Sequence, residues 1–252
     1  MKNDIQFLLD KNIAHRGLHD IHREIAENSL SAFDRAVKAG FPIELDVHLT
    51  RDNQVVVFHD DSLLRVCGQD INVNTSDYKD IAGFPLLATS DTIPLFSDVL
   101  KLVSGKVPIL LELKDGAPVG CLEECVLPLI RSYSGEIAVQ AFSPERIYWF
   151  SKNAPDVTRG QLSYYYEDRQ ITQFLRDAYK FLVFNSVTNP HFVAYDLSTM
   201  PNPVIERLKK ENMPVIAWTA RTEEQYKNIL HYSDSIIFES FTPAEPTIRR
   251  VS

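Results

Sequence analysis

The sequence predicts an α/β fold, a (β/α)8 TIM-type barrel, on three observations. Strand-like and helix-like segments alternate along nearly the whole chain. Eight strands begin near Ile13, Ile43, Ile109, Ile137, Val157, Phe181, Val215 and Ser235, and seven of them follow a helix, the order that builds a parallel sheet. Some strands are almost wholly apolar, as in residues 107–113 (VPILLEL), which suits burial on both faces. The third observation is the length of 252 residues, about that of one such barrel. An open doubly wound sheet is the competing arrangement, but the chain has no GxGxxG or Walker-type phosphate loop.

Residues 12–17 (NIAHRG) read as a short strand ending in a polar turn, followed by a charged loop. Leu30, Phe33, Ala36 and Val37 recur at helical spacing until Gly40, with Asn28 or Ser29 as N-cap. In residues 43–49, apolar Ile43, Leu45, Val47 and Leu49 alternate with Glu44, Asp46 and His48. That period of two is a strand's, and it puts Glu44 and Asp46 on one side. The β-branched run at 55–58 follows too soon for a parallel crossover and should return as a hairpin, with Asp46 roughly opposite His59. Residues 61–94 lose long periodicity and collect Asp, Asn, Ser, Gly and Pro. They read as an insertion covering a site, with too few apolar residues for a core of their own, so 1–252 is expected to be a single barrel domain. Helices are expected at 96–103, 121–133, 144–152, 168–179, 204–212 and 223–231, and strands at 107–113, 137–141, 157–162, 181–184, 215–218 and 235–238, with an irregular stretch at 185–203.

Hydrophobic residues make up 44% of the chain and charged residues 24%, an ordinary soluble composition. The formal net charge of −8 argues against nucleic acid or an anionic membrane as partner. No apolar run approaches the length of about 20 residues that spans a bilayer, and the N-terminal MKNDIQFLLDKN is no secretory signal, so the expected location is the cytoplasm. Cys67, Cys121 and Cys125 fit a reducing compartment, the last two as packing residues on a helix.

In a barrel the chemistry gathers at the C-terminal strand ends. There the chain places His15 and Arg16, Glu44 and Asp46, Glu112 and Lys114, Gln140 and Trp218. Glu44, Asp46 and Glu112 supply three hard oxygen donors suited to Mg²⁺ or Ca²⁺. His15 and His59 can flank a bound group, one taking and one giving a proton. Arg16 and Lys114 are the cations that an anionic ligand needs in an acidic protein. Of the other histidines, His48 is expected to face solvent, His19 and His22 to lie on a loop surface, and His191 and His231 to have no convergent partners. One or two of Tyr164, Tyr165 and Tyr166 could line the pocket or pack at its rim, and Arg249 and Arg250 read as a solvated end.

These pieces together resemble the glycerophosphodiester phosphodiesterase family. The matching residues are AHRG (14–17), EN (27–28) with SAF shortly after, IELDVHLTRDNQVVVFHD (43–60), LLELK (110–114), VQAF (139–142) and AWT (217–219), in the family's order and spacing. The resemblance implies a (β/α)8 barrel with an insertion after HD, metal binding by Glu44, Asp46 and Glu112 with Glu27 in or beside the metal shell, His15 and His59 as the acid–base pair, and Arg16 and Lys114 on the phosphate. Trp218 would then form an apolar wall, and Gln140 joins the substrate-binding candidates. The sequence departs from the family's pattern in lacking a Pro before Glu27, in QAF for the usual SF, and in its ending Phe238-Glu239-Ser240-Phe241-Thr242-Pro243. These bear on the shape of the pocket more than on the chemistry.

The implied activity is metal-dependent hydrolysis of a small-molecule glycerophosphodiester to an alcohol and glycerol 3-phosphate. Two routes fit: attack by the glycerol 2-hydroxyl through a cyclic phosphate, or direct attack by water. Either histidine fits either role. A lysophospholipase D-type lipid hydrolase is the alternative and would need an apolar entry surface, for which FPLL at 84–87 is the candidate. A non-catalytic polyol-phosphate-binding barrel is a third reading, opposed by the intact histidines and carboxylates.

Overall fold

The computed structural model describes residues 5–9, 11–245 and 247; Arg249 and Arg250 lie outside them. Among these residues, eight mutually parallel strands alternate with helices, and the fold class is the (β/α)8 barrel that the sequence predicts. The strands are β1 (Asn12–Ala14), β2 (Ile43–Leu49), β4 (Ile109–Leu113), β5 (Ile137–Ala141), β6 (Thr158–Ser163), β7 (Phe192–Asp196), β8 (Val215–Ala220) and β9 (Ser235–Phe238), with β3 (Val55–Val57) as an antiparallel addition. No helix among the described residues is long and apolar enough to cross a membrane. The chain divides into two compact units, one of residues 13–137 and one of residues 1–12 with 138–252.

In the unit of residues 13–137, β1 and β4 both pair in parallel with β2, Ala14 opposite Ile43 and Asp46 opposite Glu112. Every residue of β2 and β4 is buried, which accounts for their unbroken apolar side. Helix α1 (Leu30–Ala39) begins at Ser29, whose hydroxyl accepts from the Ala32 N–H, and stops at Gly40 in the left-handed region, φ 77°. Of the two expected caps, Ser29 serves, and Asn28 has other work described below.

The hairpin forms, but Val47 faces Val57 and the Phe58 N–H donates to the Asp46 carbonyl at 3.1 Å. Phe58, not His59, therefore stands opposite Asp46. The register differs by one residue because Thr50 and Gln54 close the turn around Asp52, and the Asn53 backbone, φ 59°, supplies the left-handed step that asparagine tolerates.

Residues 61–94 contain the short helices α2 (Leu64–Cys67) and α3 (Tyr78–Ile81). The apolar residues of this insertion cluster on the rest of the unit: Leu63, Val66, Val73, Ile81, Leu86 and Ile93 are buried together with Val56 and Phe58 of the hairpin side and with Ala26. Scattered apolar residues without periodicity still cluster when a strand's outer face gives them a floor. Helices α4 (Phe96–Val103) and α5 (Cys121–Ser132) complete this unit. Of residues 84–87, Leu86 is fully buried in the same cluster, Phe84 and Leu87 pack partly against it, and Pro85 is exposed.

The other unit repeats β5, α6 (Pro144–Asn153), β6, α7 (Gln173–Lys180), α8 (Asn185–Thr188), β7, α9 (Pro203–Lys210), β8, α10 (Glu223–Ile229) and β9. Strands β5 to β9 pair in sequence, each parallel to the next. One expectation fails here. Residues 181–184 are a turn leading into α8, not a strand, and Val183 is 58% exposed. The strand is β7, inside the stretch read as irregular, where Phe192, Val193, Ala194 and Tyr195 are buried and pair with β6 and β8. Both segments are short apolar runs, which periodicity alone does not separate; two paired neighbours decide for the second.

Candidate active site

The site is built in the unit of residues 13–137 from the ends of β1, β2 and β4 and the loops that follow. Parallel pairing of β2 with β4 sets Asp46 beside Glu112, and the pleat carries Glu44 to the same face. Glu44, Asp46 and Glu112 each offer an oxygen, all within 4.8 Å of one another, and all three residues are buried. After β1 the chain turns through Arg16 and Gly17 in the left-handed region, φ 54° and 80°. Gly17 is required on two counts, since a Cβ there would come within 2.9 Å of both Ala32 and Phe33 of α1. The turn aims the Arg16 N–H at Glu44 Oε2, 3.0 Å away, and places His15 Nε2 4.0 Å from the same oxygen.

The cations approach from two directions. Lys114 Nζ lies 2.8 Å from Glu112 Oε1 and 3.5 Å from Asp46 Oδ1. Arg16 Nη1 donates to Glu27 Oε1 at 2.7 Å, and its Nε is 3.5 Å from Asp46 Oδ2. Asn28, left-handed at φ 54°, donates from Nδ2 to Asp46 Oδ2 at 2.9 Å. Asn28 thus orients a carboxylate of the trio, a role hidden by its candidacy as a cap, although the EN pair marks its position.

Electrostatics separate the trio. Burial raises Glu44 well above the usual carboxylate range, and the charges of Asp46 and Glu112 push it further. Glu112 is also raised by burial, which the Lys114 ammonium only partly offsets. For Asp46 burial is outweighed by Lys114, His59, Arg16 and the Asn28 amide, so it is held below the ordinary range. Burial works against the Lys114 charge, but Glu112 and Asp46 raise its pKa. Three buried carboxylates beside cations positioned to reach an anion are a donor set that fits a hard divalent ion, and a bound cation would favour all three in their ionised form.

Glu27 is placed differently from the trio. Its two oxygens are taken by Arg16 and by Arg65 of α2, so it holds cations, and it is not one of the three residues that cluster as a cation site among the described residues. His59 is turned by Asp60, whose Oδ1 lies 2.6 Å from the imidazole Nδ1. Asp60 and, through it, Arg65 are site residues beyond the candidates the sequence offers. The HD pair signals the first; nothing short of the fold brings Arg65 to it. His48 does not face solvent: it is fully buried, and its Nε2 donates to the His59 carbonyl at 3.1 Å. Continuation of β2 into the hairpin buries both faces of the strand, which the alternating pattern alone did not reveal. His22 is exposed and His19 half-buried.

Gln140 and Trp218 belong to the other unit. Gln140 is buried on β5 with no hydrogen bond to its Oε1. Trp218, on β8, stacks edge-on against Phe142 at 5.7 Å and Tyr164 at 6.3 Å, and its buried Nε1–H has no hydrogen-bond partner. Tyr164 and Tyr166 lie in this aromatic cluster, 4.0 Å apart between centroids. His191, expected to have no convergent partners, accepts the Arg159 N–H at its Nδ1.

Buried acidic donors, two cations and two histidines at the strand ends of a (β/α)8 barrel are the groups that hydrolysis of a phosphoric diester calls for. The model of the glycerophosphoryl diester phosphodiesterase family matches residues 15–239, and the chain belongs to that family. Over 256 residues it is 26% identical to a glycerophosphodiester phosphodiesterase of Bacillus altitudinis, covering 96% of this chain and 98% of that one. It is 39% identical over 114 residues to human lysophospholipase D GDPD1, a match that covers 45% of this chain and spans only 35% of the human protein. A solved Oleispira antarctica phosphodiesterase in complex with its product sn-glycerol-3-phosphate has the same fold, with a TM-score of 0.77 at 18% identity over 91% of this chain and 93% of that one.

Proposed function

We propose that this enzyme hydrolyses glycerophosphodiesters to an alcohol and glycerol 3-phosphate, with Glu44, Asp46 and Glu112 holding Mg²⁺ or Ca²⁺ and His15 and His59 moving the protons. The observation that carries the reading is the buried carboxylate trio with Lys114 and Arg16 against it. A phosphodiester anion resists an incoming oxygen, so catalysis is mainly neutralisation of its oxygens and management of two protons. A divalent ion held by the trio would supply part of that neutralisation. Arg16 and Lys114 supply the rest.

Asp60 accepts from Nδ1 of His59, which leaves the Nε2 lone pair to take a proton or, once charged, to return it. His15, beside Glu44, is the second proton carrier. In the cyclic route one histidine takes the proton of the glycerol 2-hydroxyl as it attacks phosphorus and the other protonates the departing alcohol; water then opens the ring with the roles reversed. Gln140 and Trp218 are proposed for the substrate-binding set, each offering a buried polar atom that a polyol or phosphate ester could satisfy. The lipid-hydrolase reading draws less support from 84–87, where Leu86 is buried and Phe84 and Leu87 pack partly against the insertion's cluster.

The test is release of glycerol 3-phosphate from glycerophosphocholine and glycerophosphoethanolamine in EDTA, then with Mg²⁺, Ca²⁺ or Mn²⁺ added. Metal-restored release that is lost in His59→Ala supports the reading. Absence of release with every metal, from folded protein, would overturn it.

A further inference from the structure

Arg65 enters from α2, the first helix of the insertion, and its guanidinium lies between two carboxylates from different parts of the chain. On one edge Nε reaches Asp60 Oδ2 at 2.6 Å and Nη2 reaches Oδ1 at 3.1 Å. On the other, Nη1 and Nη2 donate to Glu27 Oε2 and Oε1 at 2.9 and 2.7 Å. Asp60 Oδ1 is the partner of His59 Nδ1, and Glu27 Oε1 is the partner of Arg16 Nη1. A continuous chain of charge-assisted bonds therefore runs His59, Asp60, Arg65, Glu27, Arg16. Both ends are residues with roles in the proposed reaction, and the carboxylate trio is not a link in it.

Two forks on one planar cation fix direction as well as distance, which a lysine's point charge does not. An ionised Asp60 held at both oxygens can only accept from the His59 ring, so Nδ1 carries the hydrogen and Nε2 is the reactive nitrogen. Consistent with that, the Asp60 carboxyl is pulled down to about 2 against the effect of burial, by bonds to Arg65 and His59. With a side chain 46% exposed, Arg65 adds little to stability as an ion pair. The geometry is a better account of it than the energy of the pair.

We propose that Arg65 is a positioning residue for phosphodiester hydrolysis, fixing the tautomer and aim of His59 through Asp60 while holding Arg16 through Glu27. The insertion then takes part in catalysis and does not merely cover the site. This inference rests on the roles given to His59 and Arg16 under the proposed function.

The experiment compares wild type with Arg65→Met by ring ¹⁵N resonances of His59 at about pH 8.5, where imidazole is neutral, and by steady-state hydrolysis of glycerophosphocholine. The expected result is an Nδ1–H ring in wild type, a mixture of tautomers in R65M, and a fall in kcat of about tenfold to a hundredfold, with Mn²⁺ affinity by calorimetry unchanged. An unchanged tautomer, or a kcat within about twofold of wild type, would overturn the inference. If R65M does not fold, Arg65→Lys carries the same measurements, a mixed tautomer being expected and an unmixed one overturning it. The ring signal is read without turnover. A wild-type protein that releases no glycerol 3-phosphate would therefore fail the proposed function, while the NMR comparison still decides for or against the tie from Arg65 to His59.

Discussion

The two units of this chain repeat the same strand–helix step and end their strands in different chemistry. In residues 13–137 the strand ends carry ionisable groups two residues apart, Glu44 with Asp46 and Glu112 with Lys114, joined by His15 and Arg16 from the turn after the first strand. In the unit containing 138–245 most carry neutral groups, Gln140, then Gln161 and Ser163, then Trp218 among Phe142, Tyr164 and Tyr166, and the acids there stand singly, Asp196 at the end of β7 and Glu239 after β9. Burying like charges is costly unless cations or metal offset it, and the first unit meets that cost with Lys114, Arg16 and the Asn28 amide. In the second unit the one such pairing is of a single carboxylate, Glu239, with Arg221 at 2.6 Å, and among its described residues no carboxylates cluster. A scaffold indifferent to what stands at its strand ends lets proton and charge handling concentrate where the compensating groups are, and leaves aromatic surface elsewhere.

If that division is functional, the largest losses come from the charged unit. His15→Ala and His59→Ala are each expected to lower kcat by about a hundredfold or more, measured as glycerol 3-phosphate release; full activity in either would remove it from the proton-carrying pair. Glu44→Gln should weaken divalent-ion binding by about tenfold or more in calorimetry. Trp218→Ala, from the neutral unit, should leave that affinity where it was, and equal losses in the two would erase the contrast. Lys114→Met comes next. One charge-assisted bond to a phosphate oxygen is worth about tenfold in affinity, so KM and product inhibition should weaken by that factor; normal kinetics would make Lys114 a counter-ion for Glu112 alone.

How much of this was legible beforehand follows the range of each interaction. The trio could be read because period-two alternation fixes Glu44 with Asp46, and β2–β4 pairing follows from barrel order. Gly40 and Ser29 were legible because caps are local. The register of the hairpin is one residue from that expected, since the loop closes around Asp52 with an odd number of residues and a left-handed Asn53, and loop length is not fixed by the strands' apolar pattern. The misplaced seventh strand shows the same limit: 181–184 and β7 are both short apolar runs, and only pairing with β6 and β8 tells them apart. Asp60 stands in the HD motif, but its grip on the His59 ring depends on side-chain orientation that adjacency does not set. Arg65 is 38 residues from Glu27, and no spacing rule reaches that far. His48 was misread because burial of a strand's second face depends on what an insertion lays over it.

The smallest effect tests the neutral unit itself. Among its described residues, His191 is the one histidine with a resolved displacement: burial, with the nearby Arg159 charge, holds the imidazole down to about 4. Because the folded value lies below the ordinary value of about 6.5, the fold favours the uncharged ring, whose Nδ1 accepts the Arg159 N–H at 3.1 Å. The contribution is complete above the unfolded value and is lost as pH falls from there through about 4. His191→Asn puts a carbonyl oxygen in the accepting position and does not titrate. Wild type should therefore lose more Tm than H191N between about pH 7 and about pH 5, by roughly 1 to 3 °C for a partly exposed group in a chain of this size. Parallel slopes would show that acid sensitivity in this range comes from the charged unit alone, which would deepen the contrast between the two.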